Sequence, residues 1–356
     1  MGDGKISSGV GRAATDQPNL WAQLEIDPEA EAKRIASTIQ QHVHGVLRRR
    51  GVVLGLSGGV DSSLVAALAV QALGPNRVLG LLMPERESSA CSLRLGRTVA
   101  ERFGIEVVLE DVTKTLEAAG CYERRDTAIA RVLPGFRPGD KCKLVRPGLL
   151  EPADARLFAI VVEGQDGASK RARLPPAEYR AVVASTCLKQ RVRKMMEYHH
   201  ADRLDYAVAG TPNRLEYALG FFVKGGDGLA DVKPIAHLYK SQVYQLAEHL
   251  GVPCEITSKP PTTDTYPLES SQEEFYFGLP HRLLDLCLHA RNHGICADLV
   301  AEHTGLSTEQ VHTVQGDLRG KLRVAERLHR PPMVVDPIAE IVFGTSFDSE
   351  PSKEVR

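Results

Sequence analysis

Residues 51–63 read Gly-Val-Val-Leu-Gly-Leu-Ser-Gly-Gly-Val-Asp-Ser-Ser, and this stretch decides the fold prediction. Its apolar beginning is typical of a buried strand, and residues 64–73, which Gly-Pro at 74–75 follows, predict a helix. The turn between them is rich in serine and glycine. Glycines let the backbone approach an anion closely, and a helix N-terminus adds free N–H groups and the positive end of the helix dipole. We therefore predict a phosphate-binding loop at residues 57–63.

Strands and helices are predicted to alternate on both sides of this loop. A second buried strand is predicted at residues 78–83, and further strands at 105–109 and 206–209; helices are predicted at 27–48, 88–103, 179–201 and 238–250, with one more beginning near Asn213. Alternation of this kind is typical of the α/β class. We predict a Rossmann-like, doubly wound parallel sheet with helices on both faces.

One segment, residues 120–184, interrupts the alternation. Strand-like runs at 157–163 and 168–174 flank Gly-Gln-Asp-Gly, which predicts an inserted β-hairpin at about residues 150–176. The C-terminal third of the chain has helical spacing. We therefore divide the chain into a flexible leader at 1–20, a main domain at 21–272 that contains the hairpin, a helical C-terminal extension at 273–330 and a tail at 331–356.

The composition argues against several classes of protein. With 44 basic and 45 acidic residues the formal net charge is -1, which provides no general attraction to nucleic acid or to an anionic membrane. Apolar runs such as residues 64–70 are far shorter than the roughly 20 residues that span a bilayer, and residues 1–19 lack the apolar core of a signal peptide. The seven cysteines are widely spaced and contain no C-x-x-C pair, so we expect reduced thiols and a cytoplasmic protein.

The phosphate loop itself indicates which class of nucleotide enzyme to expect. No lysine follows its glycines, so the loop is not the P-loop of a kinase or GTPase. It resembles the SGGxDS pyrophosphate loop of the ATP pyrophosphatase superfamily, whose members cleave ATP between the α- and β-phosphates. Further segments resemble ammonia-dependent NAD synthetases and occur in the family's order. They are residues 80–84 with Ser88-Ser89, 188–191, 210–216, 220–231, 238–242 and 259–264.

A carboxylate beside a phosphate loop needs a cation, so Asp61 is a candidate ligand for Mg²⁺. The resemblance implies that Glu216 is the second metal ligand, and that Asp61, Lys240 and Arg191 are catalytic, the two basic residues neutralising charge on the leaving pyrophosphate. It also implies that Lys224, Asp227 and Asp231 bind the acyl substrate. The predicted ATP-binding residues are Gly55, Leu56, Ser57, Gly58, Gly59, Val60, Ser62, Ser63, Met83, Thr211 and Thr262.

The resemblance also implies the reaction and the partners. A carboxylate of deamido-NAD is adenylated by ATP with Mg²⁺, pyrophosphate leaves, and ammonia displaces AMP to form the amide of NAD. No amidase-like domain fits within 356 residues, so ammonia is expected to be free or delivered by a separate glutaminase. A homodimer is implied, and neither a membrane nor a nucleic acid is expected as a partner.

Two positions depart from the family pattern. Cys187 occupies a position where the family has asparagine, and Gly225 one where it has tyrosine. Both belong to the acyl-substrate side of the site. The same adenylation and amidation of a different carboxylate is therefore an alternative.

Proteins of other classes share parts of these patterns. A tRNA-modifying pyrophosphatase has a similar loop, but it would usually bring a C-x-x-C pair or a basic extension that this sequence lacks. Residues 300–311 have the shape of a helix-turn-helix reader, yet the charges from Asp298 to Arg330 balance, which favours a helix-packing unit. A non-catalytic nucleotide-binding protein is disfavoured because Asp61 and Glu216 are both present.

Overall fold

The computed structural model describes residues 19–146, 148–151, 158–263, 265–336 and 338. Most of the predicted leader, the tail beyond residue 338, Leu157 at the start of the predicted hairpin and Asp264 of the motif at 259–264 lie outside the described residues. The strands are β1 (Val52–Gly55), β2 (Val78–Leu82), β3 (Glu106–Leu109), β4 (Lys141–Val145), β5 (Ala159–Glu163), β6 (Ser169–Arg173), β7 (Ala207–Val208), β8 (Thr262–Thr263) and β9 (Ser270–Ser271).

The helices follow the predicted alternation closely. A π-helical segment at Gln41–Val46 directly follows the first α-helix, Pro28–Gln40, and another π-helical segment lies at Glu273–Phe277. The α-helices are α1 (Pro28–Gln40), α2 (Val60–Leu73), α3 (Ala90–Phe103), α4 (Thr113–Ala118), α5 (Cys121–Val132), α6 (Pro176–Leu204), α7 (Arg214–Leu219), α8 (Lys240–His249), α9 (Cys254–Thr257), α10 (His281–Asn292), α11 (Ala297–Thr304) and α12 (Thr308–His329). Within the described residues no helix is long and apolar enough to cross a membrane.

The central sheet is parallel, with strand order β3-β2-β1-β7. Successive residues of a strand point to opposite faces, so β1 packs on both sides. Leu54 packs in one cluster with Leu64 of α2 and Val243 of α8, while Val53 packs in another with Ala201 of α6. Each fully buried leucine or valine of this kind contributes about 1.5–3 kcal/mol. Helices thus cover both faces of the sheet, and the predicted fold class is confirmed.

The inserted segment is a three-stranded antiparallel sheet. Strands β5 and β6 form the predicted hairpin, in which Ala159 pairs with Arg173, and β4 adds a third strand along β5. The inner face of this sheet packs on Val182 near the start of α6 and on Tyr266. Because α6 has 29 residues, it covers the inserted sheet with its first half and the parallel sheet with its second.

The C-terminal helices form a further apolar cluster. Leu284 of α10, Val300 of α11 and Val314 of α12 are completely buried there, together with Leu20 near the start of the described residues. Arg146, which follows β4, donates to Asp317 of α12 at 2.7 Å. The inserted sheet and the C-terminal helices are therefore joined directly. The division of the chain into a main domain and a helical extension remains a prediction.

Candidate active site

A cavity of about 470 Å³ opens at the carboxyl ends of β1 and β2. Gly55 and Leu56 at the end of β1 and Leu81–Met83 at the end of β2 contribute to its lining. The chain continues from β1 to β2 on one side, while β7 lies on the other side of β1. Ligands of open α/β sheets bind at such a switch of direction.

The predicted phosphate loop lies in this cavity. Gly58 has φ +77°, and a Cβ atom on it would lie 2.6 Å from the carbonyl oxygen of Ser92, so only glycine fits without a shift of the backbone. Ser57 Oγ and Ser62 Oγ are 3.0 Å apart, and Ser63 Oγ donates to the carbonyl oxygen of Gly59 at 2.8 Å. Among the residues that the structure describes, no side chain makes a capping hydrogen bond at the N-terminus of α2. Its first-turn N–H groups therefore remain available to an anion.

Two carboxylates and a lysine meet beside the loop. Lys240 Nζ donates to Asp61 Oδ2, and Asn213 Nδ2 donates to Asp61 Oδ1 at 3.0 Å. Asn213 also caps α7, and the backbone N–H of Asn213 donates to Glu216 Oε2 at 3.2 Å. Gln272 Nε2 donates to Glu216 Oε1 at 3.0 Å. The first turns of α2, α7 and α8 thus bring Asp61, Glu216 and Lys240 into one wall.

The charges of this group favour a bound cation. Burial and the Asp61 carboxylate raise the pKa of Glu216 to about 8. Burial would lower the pKa of Lys240, but the carboxylates of Asp61 and Glu216 outweigh it and raise that pKa. With a pKa of about 8, Glu216 is largely protonated at neutral pH, and a bound cation would favour its charged form by lowering the pKa again. Such a pair of oxygen ligands, completed by phosphate oxygens, is what Mg²⁺ prefers. In the described part of the chain no cluster of three or more metal-ligating side chains occurs.

The structure brings most of the predicted site residues together. Of the ATP-binding set, Ser63 is buried behind the loop. The predicted residues that line the cavity are Gly55, Leu56, Ser57, Gly58, Gly59, Val60, Asp61, Ser62, Met83, Thr211, Glu216, Asp227, Lys240 and Thr262. Their roles remain predictions, but their common location is a finding.

Besides Ser63, three predicted residues lie outside the cavity lining. Arg191 is exposed, and its Nε donates to the carbonyl oxygen of Lys224 at 3.4 Å. Lys224 is exposed as well, with Nζ donating to the carbonyl oxygen of Arg330 at 3.2 Å. Asp231 accepts from the Val208 N–H at 2.7 Å and from the Tyr198 hydroxyl at 3.1 Å. The roles assigned to these three residues stay predictions that this arrangement alone does not support.

Sequence reasoning missed a stripe of α6 that faces the cavity. Its members include Gln190, Lys194 and Glu197, spaced three or four residues apart, with Arg193 beside them, and Cys187, already assigned to the acyl-substrate side, lies one turn earlier. This spacing repeats on one face of a helix, so the periodicity of the predicted helix was a signal that could have identified them. Further lining residues outside the predicted set include Tyr179 near the start of α6, Lys259 after α9, and Phe275 and Tyr276 in the π-helical segment at Glu273–Phe277.

A buried ion-pair network positions the loop that follows β2. Lys189 Nζ donates to Glu85 Oε1 and Glu87 Oε2, both at 2.7 Å, and to the carbonyl oxygen of Thr265 at 2.9 Å. Burial would raise the pKa of Glu87, but Arg125 and Lys189 lower it to about 2. A charge-assisted network of this kind is rigid when all its members are paired. It therefore holds α6 against the β2 edge of the cavity.

Comparisons with known proteins agree with the geometry. The family model described as NAD synthase matches residues 31–131 and 161–321. The NH(3)-dependent NAD(+) synthetase of Mesorhizobium japonicum is 55% identical over 317 residues, which cover 89% of this chain and 99% of that protein. The enzyme of the same name from Thermotoga maritima is 37% identical over 245 residues, covering 67% of this chain and 79% of that protein.

Two solved structures have a similar fold. The NMN synthetase from Francisella tularensis superposes with a TM-score of 0.60 at 20% identity, covering 87% of this chain and 99% of that chain. The NH3-dependent NAD synthetase from Campylobacter jejuni superposes with a TM-score of 0.57 at 21% identity, covering 87% of this chain and 100% of that chain. At these identities the likeness supports the fold.

Proposed function

The chain belongs to the NAD synthase family, and we propose that its cavity converts deamido-NAD to NAD with ATP and ammonia. It is an ATP-dependent ligase that forms a carbon–nitrogen bond. The observation that carries the proposal is the shared location of the glycine loop and the group of Asp61, Glu216 and Lys240 at the end of β1. That arrangement pairs a phosphate cradle with the charges that pyrophosphate release requires.

The reaction has two steps. A carboxylate oxygen of the substrate attacks the α-phosphorus of ATP, and the bond to the β-phosphate oxygen breaks, which releases pyrophosphate. Ammonia then attacks the carbonyl carbon of the acyl-adenylate, loses a proton, and AMP leaves with the electron pair of the broken C–O bond. The protein contributes by holding these groups in line and by stabilising charge.

Residues of the cavity supply the contacts for the first step. The N–H groups of the loop and of α2 bind phosphate oxygens, and Lys240 balances negative charge from the first turn of α8. Asp61 and Glu216 would hold a Mg²⁺ ion, which supplies positive charge to the leaving pyrophosphate. Thr211 and Thr262 line the cavity and offer hydroxyl donors. Arg191 would have to move toward the phosphates to share this role.

The acyl substrate is assigned to the side of the cavity where α6 faces residues 220–228. Asp227 lines the cavity there and accepts from the Val223 N–H at 2.7 Å, while Lys224 and Asp231 are assigned to the same substrate although they lie outside the lining. Cys187 also lines this side. Gly225 is exposed with φ +74°, in a conformation that a tyrosine rarely adopts. Both departures from the family pattern therefore lie where the acyl group is expected.

The assembly and the compartment are further parts of the proposal. We expect a homodimer on the basis of the family resemblance. We expect a cytoplasmic enzyme because all seven cysteines carry free thiols, which suits a reducing compartment. Sedimentation at several protein concentrations would test the dimer.

The function is tested by measuring pyrophosphate and AMP against a panel of carboxylates. Deamido-NAD, nicotinate mononucleotide and free nicotinate are each supplied with ATP, Mg²⁺ and either ammonium or glutamine. We expect stoichiometric pyrophosphate, AMP and NAD only with deamido-NAD and ammonium. Release with another acid would replace the acceptor but keep the reaction class. ADP and orthophosphate as products would contradict the proposal.

A further inference from the structure

The proposed chemistry leaves one buried ion pair of the cavity unused. Lys194 and Glu197 lie one turn apart on α6, and their side chains are only 5% and 10% exposed. Lys194 Nζ donates to Glu197 Oε2 at 2.5 Å, and both residues line the cavity. Desolvating two charges usually costs about as much as their attraction returns, so a buried pair is weak evidence for a role in stability. Its position in the cavity wall suggests a ligand instead.

The location of the pair relates it to the phosphate loop. A Cβ atom on Gly55 would lie 3.1 Å from Glu197 Oε1 and 3.1 Å from the methyl carbon of Met83. Glycine at this position therefore leaves room for the carboxylate at the end of β1. Ser57, the first residue of the loop, is only two positions further along the chain. A group bound to Glu197 would thus lie near a phosphate held by the loop.

The pair has unused hydrogen-bonding capacity. Among the described residues, the bond between Lys194 and Glu197 is the only hydrogen bond that either side chain makes. An ammonium group has three donors, and a carboxylate has two acceptor oxygens. Two N–H donors of Lys194 and the Oε1 acceptor of Glu197 thus remain for a ligand. A ligand that both donates and accepts would complete them.

The surrounding charge favours a neutral ligand. Asp227 interacts electrostatically with both members of the pair, and Lys233 interacts with Lys194. These two carboxylates and two ammonium groups balance one another. Arg193, a further cation that interacts with Glu197, already donates to the Met83 carbonyl oxygen and to Ser88 Oγ. A phosphate or carboxylate would have to compete with Glu197 and Asp227 for these cations, whereas hydroxyl groups need no counter-charge.

We propose that Lys194 and Glu197 bind the vicinal diol of a ribose. One hydroxyl donates to Glu197 Oε1, as ribose hydroxyls donate to acidic residues in other nucleotide sites. The other hydroxyl accepts from Lys194 Nζ. The inference rests on the proposed function, because both ATP and deamido-NAD carry ribose. The neighbourhood of Gly55, Met83 and the phosphate loop favours the ribose of ATP.

The test compares Glu197→Gln with the unchanged enzyme on ATP, 2′-deoxy-ATP and 3′-deoxy-ATP. A hydrogen bond to a charged group makes the unchanged enzyme prefer ATP by about tenfold or more over the analogue that lacks the bonded hydroxyl. Glu197→Gln should reduce this preference in kcat/KM to within about twofold. Asp317→Asn is the matched control, because it breaks another largely buried ion pair that does not line the cavity, and it should keep the preference.

Two further arms complete the experiment. Deamido-NAD is compared in the same way with its analogue that carries 2′-deoxyribose on the nicotinate side. If Glu197→Gln removes the preference for deamido-NAD over this analogue, and not the preference for ATP, the pair binds the ribose of the acyl substrate. Lys194→Met combined with Glu197→Leu removes both charges without leaving one unpaired, so it tests the same loss if Glu197→Gln folds poorly. Equal effects of Glu197→Gln on every substrate and analogue, or no effect, would overturn the proposal.

The two proposals can fail separately. If the unchanged enzyme forms no NAD from deamido-NAD, the proposed function fails. Binding of ATP and of the two deoxy analogues, measured by calorimetry, still tests the diol contact in that case. If Glu197→Gln weakens the binding of ATP but not that of the deoxy analogue that lacks the bonded hydroxyl, the diol contact is supported. If Glu197→Gln changes the binding of ATP and of both analogues equally, the diol contact is contradicted.

Discussion

Lys240 Nζ contacts Asp61 Oδ2 although 179 positions separate the two residues in the chain. Asp61 lies in the first turn of α2, and Lys240 is the first residue of α8. The lysine side chain is 2% exposed and the aspartate side chain 16%. The pair forms because α8 packs against α2 through a shared apolar cluster. The charges that the proposed chemistry needs are thus placed by the core of the protein.

Replacing Asp61 should abolish pyrophosphate release. Asp61→Asn removes a proposed metal ligand and the counterion of Lys240, so we expect release to fall at least about 100-fold. Glu216 remains near Lys240, so the free energy of unfolding should fall by only about 1–3 kcal/mol. Release assays and urea unfolding measure the two effects. Asp202→Asn, at an exposed position of α6, should change neither, and a fully active Asp61→Asn enzyme would refute the metal assignment.

The two glycines of the phosphate loop should differ in their tolerance of alanine. Gly58→Ala places a Cβ atom at φ +77° and 2.6 Å from the Ser92 carbonyl oxygen, which should cost about 1–3 kcal/mol and distort the ATP site. Gly59 has φ -89°, and its Cβ would lie 3.4 Å from Ser57 Oγ. Gly59→Ala should cost less than about 1 kcal/mol. Calorimetric ATP binding and urea unfolding would decide, and equal behaviour of the two variants would argue against this loop geometry.

The two arginines of α6 offer a matched comparison. Arg193 donates from Nε to the Met83 carbonyl oxygen at 3.2 Å and from a terminal nitrogen to Ser88 Oγ at 3.3 Å, whereas Arg191 is exposed. Arg193→Ala should raise KM for ATP by about tenfold, because charge-assisted hydrogen bonds at the edge of the site are lost. Arg191→Ala should raise it less. A larger effect at Arg191 would mean that this side chain reaches the phosphates when ATP is bound.

Lys321 predicts a pH dependence of stability. It pairs with Asp317 at 2.8 Å and donates to the carbonyl oxygens of Tyr276 and Phe277. Burial outweighs the attraction to Asp317 and lowers the pKa of Lys321 to about 8, against about 10.4 in an unfolded chain. Below pH 8 both states hold the proton and the folded state bears the full cost of the buried charge. From about pH 8 to 10.4 the folded state loses the proton first, so this group makes the free energy of unfolding rise, by about 3 kcal/mol in total.

The variant Lys321→Met tests this contribution. The difference in free energy of unfolding between the unchanged protein and the variant should grow in favour of the unchanged protein from pH 8 to 10. Urea unfolding at several pH values gives that difference, and other groups that titrate in the same window cancel in it. Lys33→Met, at an exposed position of α1, is the control and should give a flat difference. A flat difference for Lys321→Met as well would contradict the lowered pKa.

Local patterns were sufficient to predict much of the fold. The apolar runs before the loop and at 78–83 became β1 and β2, and the Gly-Gln-Asp-Gly turn became the connection between β5 and β6. Strand β4 was not predicted, because the run Lys141–Val145 is short and two of its five residues are lysines that alternate with apolar residues. Its pairing with β5 and its burial against Val182 identify it, and both are properties of the folded chain.

Which basic side chain faces the cavity was a question that local sequence could not answer. Arg191 and Arg193 are two positions apart, and each residue of a helix turns by about 100°, so the two point to nearly opposite sides. Only the packing of α6 on both sheets fixes which side the cavity lies on. The buried pair of Lys194 and Glu197 was overlooked for the same reason.

The amino-acid sequence by itself determined the phosphate loop, because strand ends, glycine conformations and a helix N-terminus depend on neighbours within a few residues. They also determined the family, through motifs that keep their order. The tertiary structure alone decided which charges meet: Asp61, Glu216 and Lys240 come from three separate helices. Their distances in space follow from how α2, α7 and α8 pack around the sheet, and no local pattern contains that information.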